Sequence, residues 1–200
     1  MHFQSTFASL ALFFALSLAA STPAFAALAQ ELSEVTRLHH AGQSQAALER
    51  ADKYLATKPK DAQMRFLKAV VLADTGRQPE ATALLQQLVQ EFPELPEPHN
   101  NLAALYAANG EYAKARSELE ESLRLNPNYA TANENLGDVY VMLAGQSYAR
   151  SLRFEPSNTS VPRKLGLARQ IVVAATAASA PTGAGAASSP PLIPPRLRSN

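Results

Sequence analysis

The feature that most constrains this chain is a period of 34 residues. Gly42, Gly76 and Gly110 stand 34 apart, as do Ala47, Ala81, Ala115 and Ala149, and Pro59, Pro93 and Pro127. Leu102 and Tyr106 return as Leu136 and Tyr140. The stretch Pro96 to Tyr129 shows one full period: an apolar helical pattern, a Gly, a second helical pattern, then Asn126-Pro127. Gly just past a helix end reverses the chain, and Pro prevents the second helix from continuing. A single helical hairpin cannot bury its apolar faces, so such units must stack on one another.

Taken in order, the first repeat spans residues 28–61. Leu32, Val35 and Leu38 give one apolar face. Ala47, Leu48, Ala51, Tyr54 and Leu55 face inward from a second helix that Ser44 is placed to cap. The second repeat, 62–95, opens on a capping Asp61 and is apolar on more than one side through Phe66, Leu67, Ala69, Val70 and Leu72. Pro79 lies in the first turn of its second helix, where a missing N–H costs nothing. The third repeat, 96–129, packs Leu102, Ala103 and Tyr106 against Ala115, Leu119, Ser122 and Leu123. The fourth, 130–156, starts in phase with Leu136 and Gly137. However, Pro127 and Pro156 are 29 residues apart, and Gly145 comes one place late. The deficit shortens either the second helix, about 146–154, or the turn before it. A further helix over 160–178, N-capped by Ser160, is expected to close the array with a water-tolerant outer face.

The two ends differ from the body. Residues 1–30 hold no Asp, Glu, Lys or Arg, and an apolar run over 7–20 is followed by Pro23, expected to break the helix, and Ala24-Phe25-Ala26. This is the pattern of a secretory signal peptide over 1–26, cleaved after Ala26. Its n-region lacks Lys and Arg, so an uncleaved membrane anchor is the alternative. Zero Cys excludes disulfides, thiolate metal sites and a lipidated Cys after the leader. Residues 179–200 are rich in Pro, Ala, Gly and Ser and are expected to be disordered. From Glu31 to Asn158 there are 13 Lys+Arg against 17 Asp+Glu, a net of −4; from Val161 to Asn200 there are five basic residues and no acidic one. A basic end of this kind can meet an anionic surface or be ordinary solvated charge.

These landmarks resemble the tetratricopeptide repeat (TPR) family. The resemblance implies an all-α TPR superhelix, or α-solenoid, of about four helix-turn-helix repeats plus the C-terminal capping helix. It also implies that the first helix of each repeat lines a concave groove that accepts an extended peptide. At a groove position where the family often has Asn, this chain has Asn101 and Asn135, and Leu67 in the second repeat. Asn can donate to and accept from a peptide unit, although both residues can equally bridge neighbouring helices. Around them the resemblance places Asn100, Phe66, Val70, Ala104, Glu134, Asp138 and Met142. The family's clamp for acidic chaperone tails uses Lys at positions held here by Phe66 and Asn100, so ligands of that kind are not expected.

Nothing in the sequence assembles a catalytic set. Adjacent His39 and His40 point to different sides of a helix and do not chelate one metal. No nucleophile with a placeable His and Asp, no phosphate-cradling Gly loop and no aromatic-basic interleaving is found. The expectation is a non-enzymatic scaffold without cofactor, metal or nucleic acid. Its partners are other proteins, bound as extended segments in the periplasm or outside the cell. Membrane association would come only through the leader or the basic tail. Alternatives are a membrane-tethered adaptor and a module that self-assembles through its open ends into a homo-oligomer.

Overall fold

The computed structural model describes residues 22–178, and every regular element among them is an α-helix. They are α1 (Thr22–His40), α2 (Ser44–Thr57), α3 (Ala62–Asp74), α4 (Gln78–Glu91), α5 (Pro96–Ala108), α6 (Tyr112–Leu125), α7 (Ala130–Phe154) and α8 (Val161–Ala178). The bulk of the expected leader and the whole of the 179–200 tail lie outside the described residues. Each helix packs on the next, and α1, α3, α5 and α7 also touch in succession. The odd-numbered helices therefore form a continuous inner layer, with α2, α4 and α6 outside it.

Two kinds of turn build the repeat. After α1, α3 and α5 the chain reverses at Gly42, Gly76 and Gly110, whose φ values are 74°, 77° and 76°. In each turn the Gly N–H and the N–H after it bond back to two orphan carbonyls. At Gly76, for example, Gly76 N donates to Ala73 O at 3.1 Å and Arg77 N to Leu72 O at 2.9 Å. This is the Schellman arrangement, and its left-handed residue favours Gly. After α2, α4, α6 and α7, Pro59, Pro93, Pro127 and Pro156 sit second in four-residue turns closed by i→i+3 bonds, such as Leu95 N to Phe92 O at 3.2 Å.

Asp61 caps α3 as its position requires, accepting from Met64 N at 2.9 Å. Its other oxygen accepts from Tyr54 Oη at 3.1 Å and so ties α2 to α3. Ser44 does not cap α2. The cap position is Gln43, which makes no side-chain bond to the helix, and the Ser44 hydroxyl is engaged with His39 instead. Pro23 does not break α1 but lies in its first turn, where proline is tolerated.

A second periodicity is polar. Residues 31, 65 and 99 occupy the same register in α1, α3 and α5, and each ties its helix to its hairpin partner. Arg50 donates to Glu31 at 2.8 Å, Arg65 donates to Glu91 at 2.7 Å, and His99 Nδ1 meets Glu118 at 2.7 Å. Arg65 and His99 are buried, so these bonds work at lower dielectric than surface pairs.

The fourth repeat corrects the expectation. α7 is one continuous helix of 25 residues, so neither a shortened second helix nor a shortened turn is present. The place equivalent to Gly110 is Ala144, and an L-residue in the left-handed region costs about 1–2 kcal/mol. The chain instead stays helical through Gly145 and on to Phe154, about 37 Å in all. Burial then thins out, and within α7 only Ala132 and Val139 are buried. α8 returns along α7 and closes the array, but its outer face is not simply polar. Leu167 and Ile171 are 53% and 51% exposed beside exposed Arg163 and Lys164.

The turn mechanism is testable at two glycines. A Cβ at Gly76 or at Gly137 meets nothing within 4 Å, so only backbone preference decides. Gly76→Ala should lower unfolding free energy by about 1–2 kcal/mol, its φ being positive. Gly137→Ala, inside α7, should raise it by about 0.5–1 kcal/mol. Urea denaturation followed by circular dichroism reads both, and equal signs would contradict the assignment.

Candidate functional site

The inner layer positions the nine groove residues very unevenly. Phe66 and Val70 are 2% and 3% exposed and belong to the core beneath α3, so they offer no surface to a ligand. Asn100 is 4% exposed and likewise faces inward. Leu67 is also buried, and Asp74 is engaged with His39. The accessible set gathers on α5 and α7: Ala104, Glu134 and Asp138 are exposed, and Asn101, Asn135 and Met142 are half-buried.

Asn100 organises that set. Its Nδ2 donates to Asn101 Oδ1 at 3.1 Å, and its Oδ1 accepts from Asn135 Nδ2 at 2.9 Å. The three amides make one chain across α5 and α7 that fixes the rotamers of both groove asparagines. Asn135 therefore bridges neighbouring helices. Asn101 Nδ2 and Asn135 Oδ1 have no partner among the described residues. An amide NH2 group on one helix and an amide oxygen on the next therefore remain free to hydrogen-bond.

Beside this chain lies a cleft of about 290 Å³ between α5, α6 and α7, lined by Ala104, Asn135, Asp138 and Met142 among others. A second, mainly apolar cleft of about 540 Å³ lies between α7 and α8 against Tyr112, with Val141, Leu165 and Val172 on its walls. Both clefts share Tyr112 and Met142, so they adjoin. Small Ala103, Ala104 and Ala107 leave the first open, and the loss of a turn in α7 shapes the second.

The charges around the clefts are not alike. Most carboxylates in the described chain have cationic or hydrogen-bonding partners, as Arg77 has Glu80 at 2.6 Å and Arg124 has Glu121 at 2.5 Å. Glu134 and Asp138, one turn apart on α7, have none among the described residues and face water. Glu97, in the first turn of α5, is different: one of its oxygens is buried without a partner, and burial pushes its carboxyl above the usual range. Burial, with the Glu97 charge adding to it, also raises the Tyr129 phenol to about 12.

Folding also assembles a trio that sequence spacing hid. Ser44 Oγ lies 3.2 Å from His39 Nδ1, and His39 Nε2 lies 2.8 Å from Asp74 Oδ2. The Ser–His–Asp order is that of a nucleophile relay, but the trio joins the α1–α2 turn to α3, away from both clefts. Its geometry accounts for a tie between the first two repeats. Among the described residues no group of three or more His, Cys, Asp or Glu is placed to hold a metal ion, and no helix is long and apolar enough to cross a membrane.

Comparison with known proteins follows the same boundaries. Tetratricopeptide repeat profiles match residues 36–96 and 96–129. The TPR repeat-containing thioredoxin TTL4 of Arabidopsis thaliana is 35% identical over 80 residues, which is 40% of this chain and 12% of that protein. This chain thus spans only a small part of that curated relative. Among solved structures, the TPR protein TTC0263 of Thermus thermophilus superposes with a TM-score of 0.55 at 23% identity, covering 76% of this chain and 86% of the other. The second TPR domain of human RPAP3, in complex with an HSP70 peptide, gives a TM-score of 0.51 at 16% identity, covering 55% and 92%.

The buried carboxyl of Glu97 yields a pH prediction. Its folded pKa is raised, so its stabilising contribution is complete below the ordinary carboxylate value and disappears as pH rises through the folded one. Glu97→Gln should therefore change the melting temperature little at about pH 4 and raise it at about pH 8. A scan of wild type and variant at both pH values checks this.

Proposed function

Because this chain belongs to the tetratricopeptide repeat family, we propose that it is a non-catalytic scaffold that binds an extended segment of another protein. The site is the α5–α7 cleft. The observation that carries this reading is the Asn100-centred chain, which holds Asn101 Nδ2 and Asn135 Oδ1 pre-oriented and unpaired among the described residues, with Asn135 on the lining of an open cleft. A fixed donor and acceptor lose little side-chain freedom on binding, which favours affinity for any peptide backbone. A domain of the same fold has been solved with a peptide of HSP70, which supports this use of the architecture. The charge differs, since Glu134 and Asp138 disfavour an acidic tail and favour cationic ligands.

The protein acts, in this reading, after export. The uncharged apolar stretch over 7–20 and the Ala24-Phe25-Ala26 pattern support a leader cleaved after Ala26, and hence a periplasmic or secreted scaffold of a bacterial envelope. Cleavage there would leave α1 starting at Ala27, still ahead of Leu32 and Val35, which pack into the core. The intact mass of the exported protein decides it: a mature chain beginning at Ala27 is expected, and a retained leader would shift the reading to a membrane-tethered adaptor.

The groove itself is tested by Asn101→Ala with Asn135→Ala. Asn135→Ala leaves Asn100 Oδ1 without its partner, at a cost of about 1–3 kcal/mol. Helical circular dichroism must therefore be shown unchanged. Crosslinking in the native envelope followed by identification should then recover groove partners at least about tenfold less with the pair, a loss equivalent to about 1.4 kcal/mol. Equal recovery of every partner would remove the cleft from consideration.

A further inference from the structure

We propose that the α5–α7–α8 cleft is occupied, in the absence of a partner protein, by residues 192–198 of the same chain, Leu192-Ile193-Pro194-Pro195-Arg196-Leu197-Arg198. The proposal rests on the groove reading above and names the chemistry that the groove selects: an apolar pair, a proline spacer and two arginines.

The cleft presents a graded strip along α7. Asp138 lines the smaller cleft and Glu134 stands one turn before it on α7, both exposed and unpaired among the described residues. Met142 follows one turn later, and the apolar cleft walled by Leu165 and Val172 opens around Gly145. From the midpoint of the carboxylates to Gly145 is nine helical residues, about 13 Å. The segment has the complementary order. From the middle of Leu192-Ile193 to the middle of Arg196–Arg198 is four to five residues, about 14 Å at polyproline rise. Arg196 and Arg198, two residues apart on an extended chain, are separated by about 6.5 Å. Carboxylates at i and i+4 on a helix stand about 6 Å apart at Cβ. Pro194 and Pro195 stiffen the spacer, so less chain freedom is lost on docking.

Connectivity favours the same molecule as donor. Residues 179–200 follow directly on α8, which forms one wall of the cleft, and they contain Arg196 and Arg198 but no acidic residue. The 13 residues from 179 to 191 give a reach of about 20 Å by chain length alone, enough to return along α8. A tether of that length gives an effective concentration on the order of 1 mM, so even a segment binding at about 100 µM in trans would fill the cleft about nine-tenths of the time. A partner must then compete with this segment, and its apparent affinity falls about tenfold.

The test uses a fluorescein-labelled peptide of residues 189–200 and the full mature chain, wild type against Arg196→Glu with Arg198→Glu. The charge-reversed chain should bind the peptide about tenfold more tightly than wild type, because its own segment no longer competes. Adding Glu134→Gln and Asp138→Asn to the charge-reversed chain should reduce that binding, and so should raised salt. Equal affinity of the two chains, or no binding to either, would overturn the proposal. So would concentration-dependent dimers in light scattering that vanish with the charge reversal, since the segment would then be filling a second copy. Loss of native partners in the Asn101/Asn135 variant, with no peptide binding here, would remove the self-occupied cleft and leave the scaffold reading standing.

Discussion

The fold depends on how closely two helices of a hairpin can approach. Ala47, Ala81 and Ala115 hold the same register in α2, α4 and α6, and all three are completely buried. Ala69 and Ala103 do the same in α3 and α5. Methyl-sized contacts let the backbones cross closely, and larger neighbours such as Leu85, Leu88, Leu102 and Leu119 then fill the seams on either side. The reversing glycines and the Pro turns only deliver the helices to this crossing. The core that results runs from Val35 to Leu105, with a second cluster from Ala103 to Val139, joined through Tyr106.

The same requirement explains what happens at the fourth repeat. Ala149 is in phase with Ala115 but is only half-buried, and Gly137, in phase with Ala103, is exposed. No second helix of the repeat folds back within α7 to cross at these small residues. α7 continues straight, and α8 arrives with a different contact set. The departure from the repeat is thus also what opens the larger cleft between α7 and α8.

Much of this was legible in the sequence because the signals are local. Gly at a helix end, Asp61 before a helix, Pro79 and Pro96 in first turns, and apolar spacing all act within a few residues, and each places an element where the structure has it. What stayed hidden was either long-range or ambiguous in kind. Gly145 reads as a turn in isolation, but the position that must go left-handed is held by Ala144. Ser44 reads as a cap until His39 and Asp74 take its hydroxyl into a chain linking residues 35 apart. The resemblance that put Phe66 and Val70 on the groove could not say that both would be buried in the core. Asn101 and Asn135 lie on adjoining inner helices, and the hydrogen bonds that join them through Asn100 are visible only once both helices are side by side.

The unbroken α7 has a consequence for the length of segment that the proposed groove accepts. Neighbouring inner helices lie about 9 Å apart, so the stack from α1 to α7 spans three steps, or about 27 Å, of which α5 and α7 carry the accessible set. An extended ligand advances about 3.3 Å per residue, so roughly eight residues fill that run. Where an ordinary array adds a further hairpin, the second half of α7 runs on as the same helix and packs on α8. In the proposed reading the length of bound segment is then set by the helices that precede α7's second half, and the exposed Leu167 and Ile171 belong to α8 rather than to that run.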